Sequence, residues 1–382
     1  RLSEADVELA RPGEEVRIIP VKDVIEPRVK ANGKGELFPG VIGKMEMVGS
    51  GRTNVLRGVA VVTVGQIIGF QEGLIDMSGS GSKYSHFSQT NNVALILEPT
   101  AGLDPHAHEE AVRLAGLKVA AYLGKACKDV APDEIEKYEL SPVTDAKLPR
   151  IAYVYTMLSE GLLHDTYLYG ADVKKILPTL IHPNEVMDGA IVSGNCVSAC
   201  DKHTTYHHLN NPVIRELYRR HGRDLNFVGV ITTSLNVTLA EKQRAADHVS
   251  KLVKFIGAEG AIITEEGFGN PDTDMMMLCS RIETCGVKTV IITDEYAGSD
   301  GCSQSLADAV PQADAVVSVG NANDVITLPP MKHVIGDMKT AEDIAGGFVG
   351  SVTAGGGLNV EIQSIMGATC QLGFGKLTAS GY

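Results

Sequence analysis

Short apolar runs alternate with longer amphipathic stretches through the second half of the chain. From Asn226 onward the order is "FVGVITT", "LAEKQRAADHVSKLVKFIG", "GAIIT", an amphipathic stretch from about Asp272 to Cys285, "KTVIITD", "SQSLADAV" and "DAVVSVG". Short runs rich in Val and Ile predict buried strands, and the stretches between them predict helices. The repeated alternation therefore predicts a doubly wound, mostly parallel sheet with helices on both faces.

The first third of the chain has a different pattern. Between Val16 and Pro99 the apolar runs are short and bounded by Gly, as in "LRGVAVVTVGQIIGFQEGLIDM", which predicts strands joined by tight turns. One long helix is predicted for "PHAHEEAVRLAGLKVAAYLGKACKD", and the polar stretch 134–150 precedes the strand "IAYVYTML". We therefore predict an α/β protein with a mainly-β region carrying one long helix over residues 1–145, followed by an α/β domain over residues 146–382.

Composition and charge indicate which partners the chain could bind and in which compartment it works. The chain of 382 residues has a net charge of −13, which argues against a surface for nucleic acid or anionic lipid, because phosphate binding requires a concentrated basic face. The seven cysteines are an odd number without a regular spacing, which favours a reducing compartment, and we expect the cytoplasm. No run of 18 or more apolar residues is present, so no membrane span is expected.

Acidic loops follow two neighbouring strands of the predicted sheet. Glu265 and Glu266 come directly after "GAIIT", and Asp294 ends "KTVIITD". Because ligands of open parallel sheets bind beyond the carboxyl ends of the strands, these three side chains are candidate site residues. The alternative is helix capping by Asp272 or Thr273. The segment "GFGNP" does not match a phosphate-binding glycine loop, so no nucleotide is expected.

The stretch "GAIVSGNCVSACDKHTTYHH", residues 189–208, contains two thiols next to three histidines. On these residues alone Cys196 could be a metal ligand, a disulfide partner, a nucleophile, a buried hydrophobe or a self-processing site. A structural zinc site usually has two closely spaced ligand pairs, whereas Cys196 and Cys200 stand alone and the histidines fall on a segment predicted to be irregular. A disulfide is unusual in a reducing compartment unless it is catalytic.

Several longer segments together carry a resemblance to a known family. They are "LLHDTYLYGADVKKILPTLIHPNEVMDGA", "VSGNCVSACDK", "EEGFGNPDTD", "VIITDEYAG", "GNANDVITLPP" and "EIQSIMGATCQLGFG". With these segments the chain resembles the alpha/beta proprotein subunit of component B of the glycine, sarcosine and betaine reductases. The likeness covers nearly the whole chain. Full-length members of that family have further residues ahead of the position of Arg1, and we expect the same here.

The resemblance implies that the Asn195-Cys196 peptide bond cleaves itself and leaves a pyruvoyl group derived from Cys196. A thiol can attack the preceding carbonyl to give a thioester by an N-to-S acyl shift; loss of the sulfur then gives dehydroalanine, which hydrolyses to a ketone. The small Ser193-Gly194 pair allows close backbone approach and unusual torsion angles. The ketone forms a Schiff base with an amine substrate and withdraws electrons from its C-N bond.

The same resemblance implies partners and an activity. The chain has no selenocysteine, so the nucleophile is expected on a selenocysteine-containing component B subunit, with a selenoprotein and an acetyl-phosphate-forming component completing an oligomeric oxidoreductase. The expected reaction is reductive deamination of a small amine, with the pyruvoyl group as cofactor and no metal or nucleotide. The candidates for proton transfer near the carbonyl are Asp201, Lys202 and His203, with Glu265, Glu266 and Asp294 at the sheet edge.

Two alternatives belong to other classes. Betaine is a quaternary amine and cannot form an iminium, so a betaine-type subunit could stay uncleaved and act in substrate binding or assembly without a pyruvoyl group. A zinc-binding regulatory protein could instead use Cys196, Cys200 and the nearby histidines. An intact thiol at residue 196 would favour the first alternative, and bound zinc would favour the second.

Overall fold

The computed structural model describes residues 2–68, 72–161, 163–194 and 203–373. The strands in chain order are β1 (Leu2–Ala10), β2 (Val16–Ile25), β3 (Arg28–Asn32), β4 (Arg52–Val55), β5 (Val59–Gly65), β6 (Gly73–Asp76), β7 (Asn91–Pro99), β8 (Arg150–Met157), β9 (Thr166–Leu168), β10 (Ala171–Asp172), β11 (Thr179–Ile181), β12 (Ile191–Ser193), β13 (Asn226–Ser234), β14 (Gly260–Thr264), β15 (Lys288–Glu295), β16 (Val316–Asn321), β17 (Val325–Leu328), β18 (His333–Gly336) and β19 (Leu358–Glu361). The α-helices are α1 (Pro105–Gly124), α2 (Pro183–Met187), α3 (Thr205–Leu209), α4 (Pro212–Arg220), α5 (Leu239–Phe255) and α6 (Asn270–Thr284). Within these ranges no helix is both long enough and apolar enough to cross a membrane.

The amino-terminal sheet has the strand order β1-β7-β5-β2-β18, with β6 also paired to β2. β2 lies inside this sheet, and all ten of its residues are buried. Helix α1 begins where the Asp104 side chain accepts a hydrogen bond from Ala107 N at 3.0 Å, and it packs Val112 and Leu117 against Ile25 of β2. Since β18 comes from the far end of the chain, the carboxyl-terminal part of the sequence completes this sheet.

The central sheet has the strand order β11-β13-β8-β14-β15-β16. β11 is antiparallel to β13, and the other neighbours are parallel. Side chains along β8 alternate between the two faces: Tyr153 and Tyr155 enter the cluster that includes α4, whereas Ala152 and Val154 enter the cluster that includes α5 and α6. Both faces of β8 are therefore buried, as its nearly continuous apolar sequence requires.

The α/β class predicted from the sequence is confirmed, because parallel and mixed sheets alternate with helices. The division into a mainly-β region and a doubly wound domain near residue 145 stays a prediction. The long helices and the strands β8 and β13–β16 lie within a few residues of the predicted positions.

The helix predicted over residues 303–310 was wrong, and the alternative that Asp272 caps helix α6 does not hold either. Residues 303–310 form bends instead of the predicted helix, with Leu306 and Val310 packed on the α5 and α6 cluster and the backbone N–H of Ala307 bonded to the Asp272 carboxylate. The i, i+4 spacing of those two apolar residues fits a helix, but here a side chain from another element takes up the backbone donor. Helix α6 begins after Gly269, so Asp272 lies in its first turn and is not its N-cap.

Candidate active site at the carboxyl edge of the central sheet

The parallel strands of the central sheet place their carboxyl ends at one edge. From β8 the chain passes to β13 on one side of β8 and afterwards to β14 on the other side. Ligands of open parallel sheets bind at the carboxyl edge where the strand order reverses in this way. The residues that follow the two strands at this point are Leu158 after β8 and Glu265 and Glu266 after β14.

Glu266 joins these two strand ends to residue 203. Its Oε1 accepts a hydrogen bond from His203 N at 2.8 Å, and its Oε2 accepts one from Leu158 N at 2.9 Å. The His203 Nδ1 atom lies 3.9 Å from Glu266 Oε2. Both side chains are fully buried. The geometry therefore brings together two residues that the sequence singled out as candidates, His203 and Glu266.

A tyrosine hydroxyl lies between two imidazoles next to Glu266. Tyr155 Oη is 2.7 Å from His208 Nδ1 and 3.4 Å from His203 Nδ1. Burial raises the pKa of Tyr155 well above its ordinary value, so the hydroxyl keeps its single proton. The hydroxyl can donate that proton to one imidazole, and the shorter contact indicates that the acceptor is His208 Nδ1. The second contact is then satisfied by a proton on His203 Nδ1, which the nearby Glu266 carboxylate also favours.

Two of the nearby imidazoles, those of His207 and His86, are held neutral. Burial lowers the pKa of His207 well below its ordinary value, and it lowers the pKa of His86 to about 3. The His203 and His207 rings lie 6.5 Å apart. His207 and His208 lie on helix α3, which corrects the prediction of an irregular segment. In the part of the chain that the structure describes, no group of three or more His, Cys, Asp or Glu side chains is arranged to hold a metal ion.

Glu265 and Asp294 lie in a separate group of buried carboxyls. Burial raises the pKa of Glu265 well above its ordinary value, a hydrogen bond and the charge of Asp272 raise it further, and the Thr293 hydroxyl, which donates to Glu265, opposes the rise. Asp294 Oδ1 accepts a hydrogen bond from Gln371 Nε2 at 2.8 Å. These surroundings favour the protonated form of Glu265, whereas the neighbouring Glu266 accepts two backbone N–H groups.

Gln371 connects the carboxyl-terminal part of the described chain to the loop after Glu266 by hydrogen bonds. Besides its bond to Asp294, its Nε2 donates to Gly267 O at 2.8 Å, and its Oε1 accepts from Gly267 N at 3.2 Å. Gly267 has a φ of +89°, a left-handed conformation that glycine adopts without strain. The loop is thus fixed at the edge where Glu265 and Glu266 lie.

Gly194 lies immediately before the pair Asn195 and Cys196. Its N–H donates to Asp165 O at 2.7 Å, and a Cβ atom at this position would lie 2.1 Å from His164 O. Its φ is not in the left-handed region. Close backbone approach therefore explains the glycine here.

Four of the predicted site residues cannot be placed in this geometry. Asn195, Cys196, Asp201 and Lys202 lie outside the described residues. The described candidates divide into two groups, with His203 and Glu266 in contact and with Glu265 and Asp294 beside Asp272.

Sequence reasoning missed two residues of the site. Tyr155 is one of two tyrosines spaced two apart in "IAYVYTML", which marks a polar tip on one face of a buried strand. Asp23 is an acid inside the apolar run of β2, and its carboxylate accepts hydrogen bonds from Thr205 N at 2.8 Å and Thr205 Oγ1 at 2.7 Å. Both signals were present in the sequence, but neither identified the partner across the fold.

This fold and site define an α/β protein with a buried polar site at a parallel-sheet edge, and comparison with known proteins gives its family. The family described as glycine/sarcosine/betaine reductase component B subunits matches residues 1–380. The chain belongs to this family.

Three curated relatives cover nearly the whole chain. It is 58% identical to "Glycine reductase complex component B subunits alpha and beta" of Peptoclostridium acidaminophilum, covering all of this chain and 90% of the relative. It is 55% identical to "Sarcosine reductase complex component B subunit alpha" of the same organism, with the same coverage. It is 40% identical to that organism's "Betaine reductase complex component B subunit alpha", covering 96% of this chain and 86% of the relative. No solved structure matches.

Proposed function

We propose that this chain is a pyruvoyl-forming subunit of component B of a glycine or sarcosine reductase, in which Cys196 becomes the pyruvoyl group after cleavage from Asn195. The observation that carries the proposal is the junction of Ser193 and His203, which precede and follow the processing pair. Ser193 Oγ donates to His203 O at 2.6 Å, and His203 N is bound by Glu266 at the sheet edge. The two flanks of the pair therefore meet at the point where the fold is expected to bind a ligand.

The described residues fit a carbonyl cofactor at this edge. A pyruvoyl group, when present, supplies a ketone that reacts with amines and withdraws electrons from their C-N bond. His203, Glu266 and Tyr155 are all fully buried, which excludes bulk water and strengthens hydrogen bonds. The strand-order reversal beside β8 supports the doubly wound arrangement predicted from the sequence.

His203 is the first candidate for proton transfer at this edge. Its Nδ1 contacts the Tyr155 hydroxyl, and we propose that its imidazole accepts a proton from an incoming ammonium group or returns one to a carbonyl oxygen. Glu266 positions His203 through the backbone N–H. Asp201 and Lys202 are further candidates for the same transfers.

The protonated state of Glu265 has a function in this scheme. An amine attacks a carbonyl only in its neutral form, and extra carboxylates nearby would keep it protonated. Burial and the neighbouring Asp272 favour a proton on Glu265, which keeps this carboxyl from adding to the negative charge of Asp272 and Asp294 at this edge. We propose that Glu265 acts by staying uncharged and not by contact with the substrate.

Glycine and sarcosine are preferred to betaine as substrates. The identity to the glycine and sarcosine relatives is higher than to the betaine relative, and the name of the glycine relative assigns two subunits, alpha and beta, to a single chain. Betaine has no N–H to lose, so an uncleaved betaine-type subunit is the alternative outcome of the test below.

Partners complete the proposed reaction. They are a selenocysteine-containing component B subunit, which supplies the nucleophile that this chain lacks, and the selenoprotein and acetyl-phosphate-forming components of the complex. We propose that the assembly is oligomeric and works in a reducing cytoplasm.

Borohydride trapping tests the proposal. Purified protein is incubated with radiolabelled glycine, sarcosine or betaine, treated with borohydride and analysed by mass. Glycine and sarcosine should become fixed to the piece that begins at residue 196, whereas betaine should not, and the Cys196→Ala variant should take up none. Absence of label from glycine and sarcosine on a fully cleaved protein would overturn the proposed chemistry.

A further inference from the structure

One buried carboxylate connects residues on both sides of the Asn195-Cys196 bond. Asp23 Oδ2 accepts from Thr205 Oγ1 at 2.7 Å, and Asp23 Oδ1 accepts from Thr205 N at 2.8 Å. The same Thr205 hydroxyl accepts from Ser193 N at 3.1 Å, and Ser193 Oγ donates to His203 O at 2.6 Å. We call these four residues, Asp23, Thr205, Ser193 and His203, the flank brace.

The flank brace is sealed from water. Asp23 and Ser193 are each 2% exposed, and His203 and Thr205 are fully buried. Asp23 Oδ1 also accepts from Val24 N at 2.9 Å, so backbone and hydroxyl donors offset the cost of burying the carboxylate. Thr205 is the central member, because its hydroxyl donates to Asp23 and accepts from Ser193 at the same time.

We propose that Asp23 is a positioning residue for self-cleavage. It acts through Thr205, which holds Ser193, on the amino-terminal side of the cleaved bond, at a fixed position relative to His203 on the carboxyl-terminal side. This inference rests on the proposed function. Nucleophilic attack within a chain is fast only when the reacting groups are held in the attack geometry, and small displacements slow it strongly. The brace fixes both ends of the segment that contains the reacting pair.

The chemistry that the brace would assist is balanced without an oxidant or reductant. The Cys196 sulfur bonds to the Asn195 carbonyl carbon, the C-N bond between the two residues breaks, and the thiol proton passes to the nitrogen. The Cβ-S bond then breaks with loss of the Cα proton. Two water molecules complete the reaction, which leaves a carboxylate at Asn195 and a ketone at residue 196 and releases ammonia and hydrogen sulfide.

The brace also has a consequence after cleavage. Asp23 and Ser193 then belong to the piece 1–195, and Thr205 and His203 belong to the piece 196–382. The hydrogen bonds of the brace therefore run between two chains, as do the pairings of β8 with β13 and β14 and of β2 with β18. Ser193 and His203 therefore stay hydrogen-bonded after cleavage, because the brace does not include the broken bond.

The test compares the rate of cleavage in newly made chains. Cell-free synthesis followed by quenching at intervals gives the cleaved fraction by mass, and released sulfide gives a second readout. Thr205→Val, which keeps the shape and loses the hydroxyl, and Asp23→Asn should each cleave at least about 10-fold more slowly. Thr205→Ser restores the hydroxyl and should cleave within about threefold of the wild-type rate.

A matched control separates positioning from general loss of stability. Thr289 is also buried and its hydroxyl also donates to a carboxylate, Glu283 Oε1 at 3.0 Å, but it lies at the other end of β15. Thr289→Val should cleave at the wild-type rate. Melting temperatures are compared in the uncleavable Cys196→Ala background, so that each variant's fold is measured apart from processing.

The outcomes distinguish the two proposals. Slow cleavage of Thr205→Val with rescue by Thr205→Ser and a melting temperature like that of Thr289→Val would support the brace. Wild-type cleavage by Thr205→Val, or equal slowing by Thr289→Val, would overturn the role of the brace and leave the proposed function intact. A wild-type chain that never cleaves and releases no sulfide would overturn both.

Discussion

Glu265 and Glu266 are adjacent, identical and fully buried, yet their surroundings are opposite. Glu266 accepts hydrogen bonds from the backbone of His203 and Leu158. Glu265 lies beside Asp272 and Asp294, and its pKa is raised by burial and by those carboxyls. Successive side chains at the end of a strand point to opposite sides of the sheet. The Glu266 carboxyl therefore lies among backbone N–H donors, whereas the Glu265 carboxyl lies among other carboxyl groups. The comparison shows that the surrounding donors, and not the residue type, decide the function of each carboxyl.

The largest expected effect is the loss of turnover on replacing His203, whose backbone N–H donates to Glu266. His203→Gln removes the imidazole but keeps the backbone N–H that donates to Glu266. We expect turnover with glycine or sarcosine in the reconstituted complex to fall about 100-fold, because positioned acid–base groups contribute that much or more. Cleavage should still occur, since the backbone bond remains. His182→Gln, an exposed histidine at the start of α2, is the control and should keep normal turnover. Wild-type turnover in His203→Gln would remove His203 from the mechanism.

A matched pair of substitutions tests the comparison directly through stability. Glu266→Gln leaves one carbonyl oxygen for two N–H donors, and we expect the free energy of unfolding to fall by about 2 kcal/mol. Glu265→Gln should cost less, because burial and the neighbouring carboxyls favour the protonated form of Glu265, which a neutral amide resembles. Urea denaturation of both variants at neutral pH measures the difference. Equal losses would mean that the two carboxyls are not in different states.

The pH dependence of stability should change in Glu265→Gln. The folded-state pKa of Glu265 is raised above its ordinary value of 4.5, chiefly by burial. Its contribution to stability is therefore complete below about pH 4.5 and is lost as the pH rises through the folded-state pKa. The Gln variant lacks this loss, so its melting temperature should fall less than that of the wild type from acid to alkaline pH. Parallel curves for the two proteins would show that Glu265 does not titrate in this way.

The smallest effect is expected from Tyr155→Phe. The variant loses the hydroxyl between His203 and His208, which should cost about 1 kcal/mol of stability and change the pH profile of kcat more than KM. Tyr153→Phe is the neighbouring control, since that hydroxyl contacts Thr264 Oγ1 at 2.9 Å and no histidine. Identical pH profiles for Tyr155→Phe and the wild type would contradict the assigned His203 tautomer.

The sequence predicted what depends on local pattern. Strands β14 and β8 and helix α5 were predicted from the runs "GAIIT" and "IAYVYTML" and from the amphipathic stretch before Phe255. These predictions were confirmed because the apolar periodicity of each segment matches the faces that the fold buries. The helix predicted over residues 303–310 does not form, because the backbone N–H of Ala307 donates to Asp272, a residue far away in the sequence.

The candidate site was predictable only in part. His203, Glu265, Glu266 and Asp294 follow from strand ends and from the resemblance, but no pattern assigns His203 to Glu266 and excludes it from the group of Glu265. Asp23 lies 182 residues from Thr205, and their contact exists only after the amino-terminal sheet packs on helix α3. Such pairings are set by the fold as a whole and not by spacing.

The intact mass of the purified protein shows whether the chain cleaves itself between Asn195 and Cys196. Self-cleavage predicts two pieces, one ending at Asn195 and one beginning at residue 196, in which a ketone replaces the amino group and a methyl group replaces CH2–SH. A single full-length mass with an alkylatable thiol at Cys196 would contradict it.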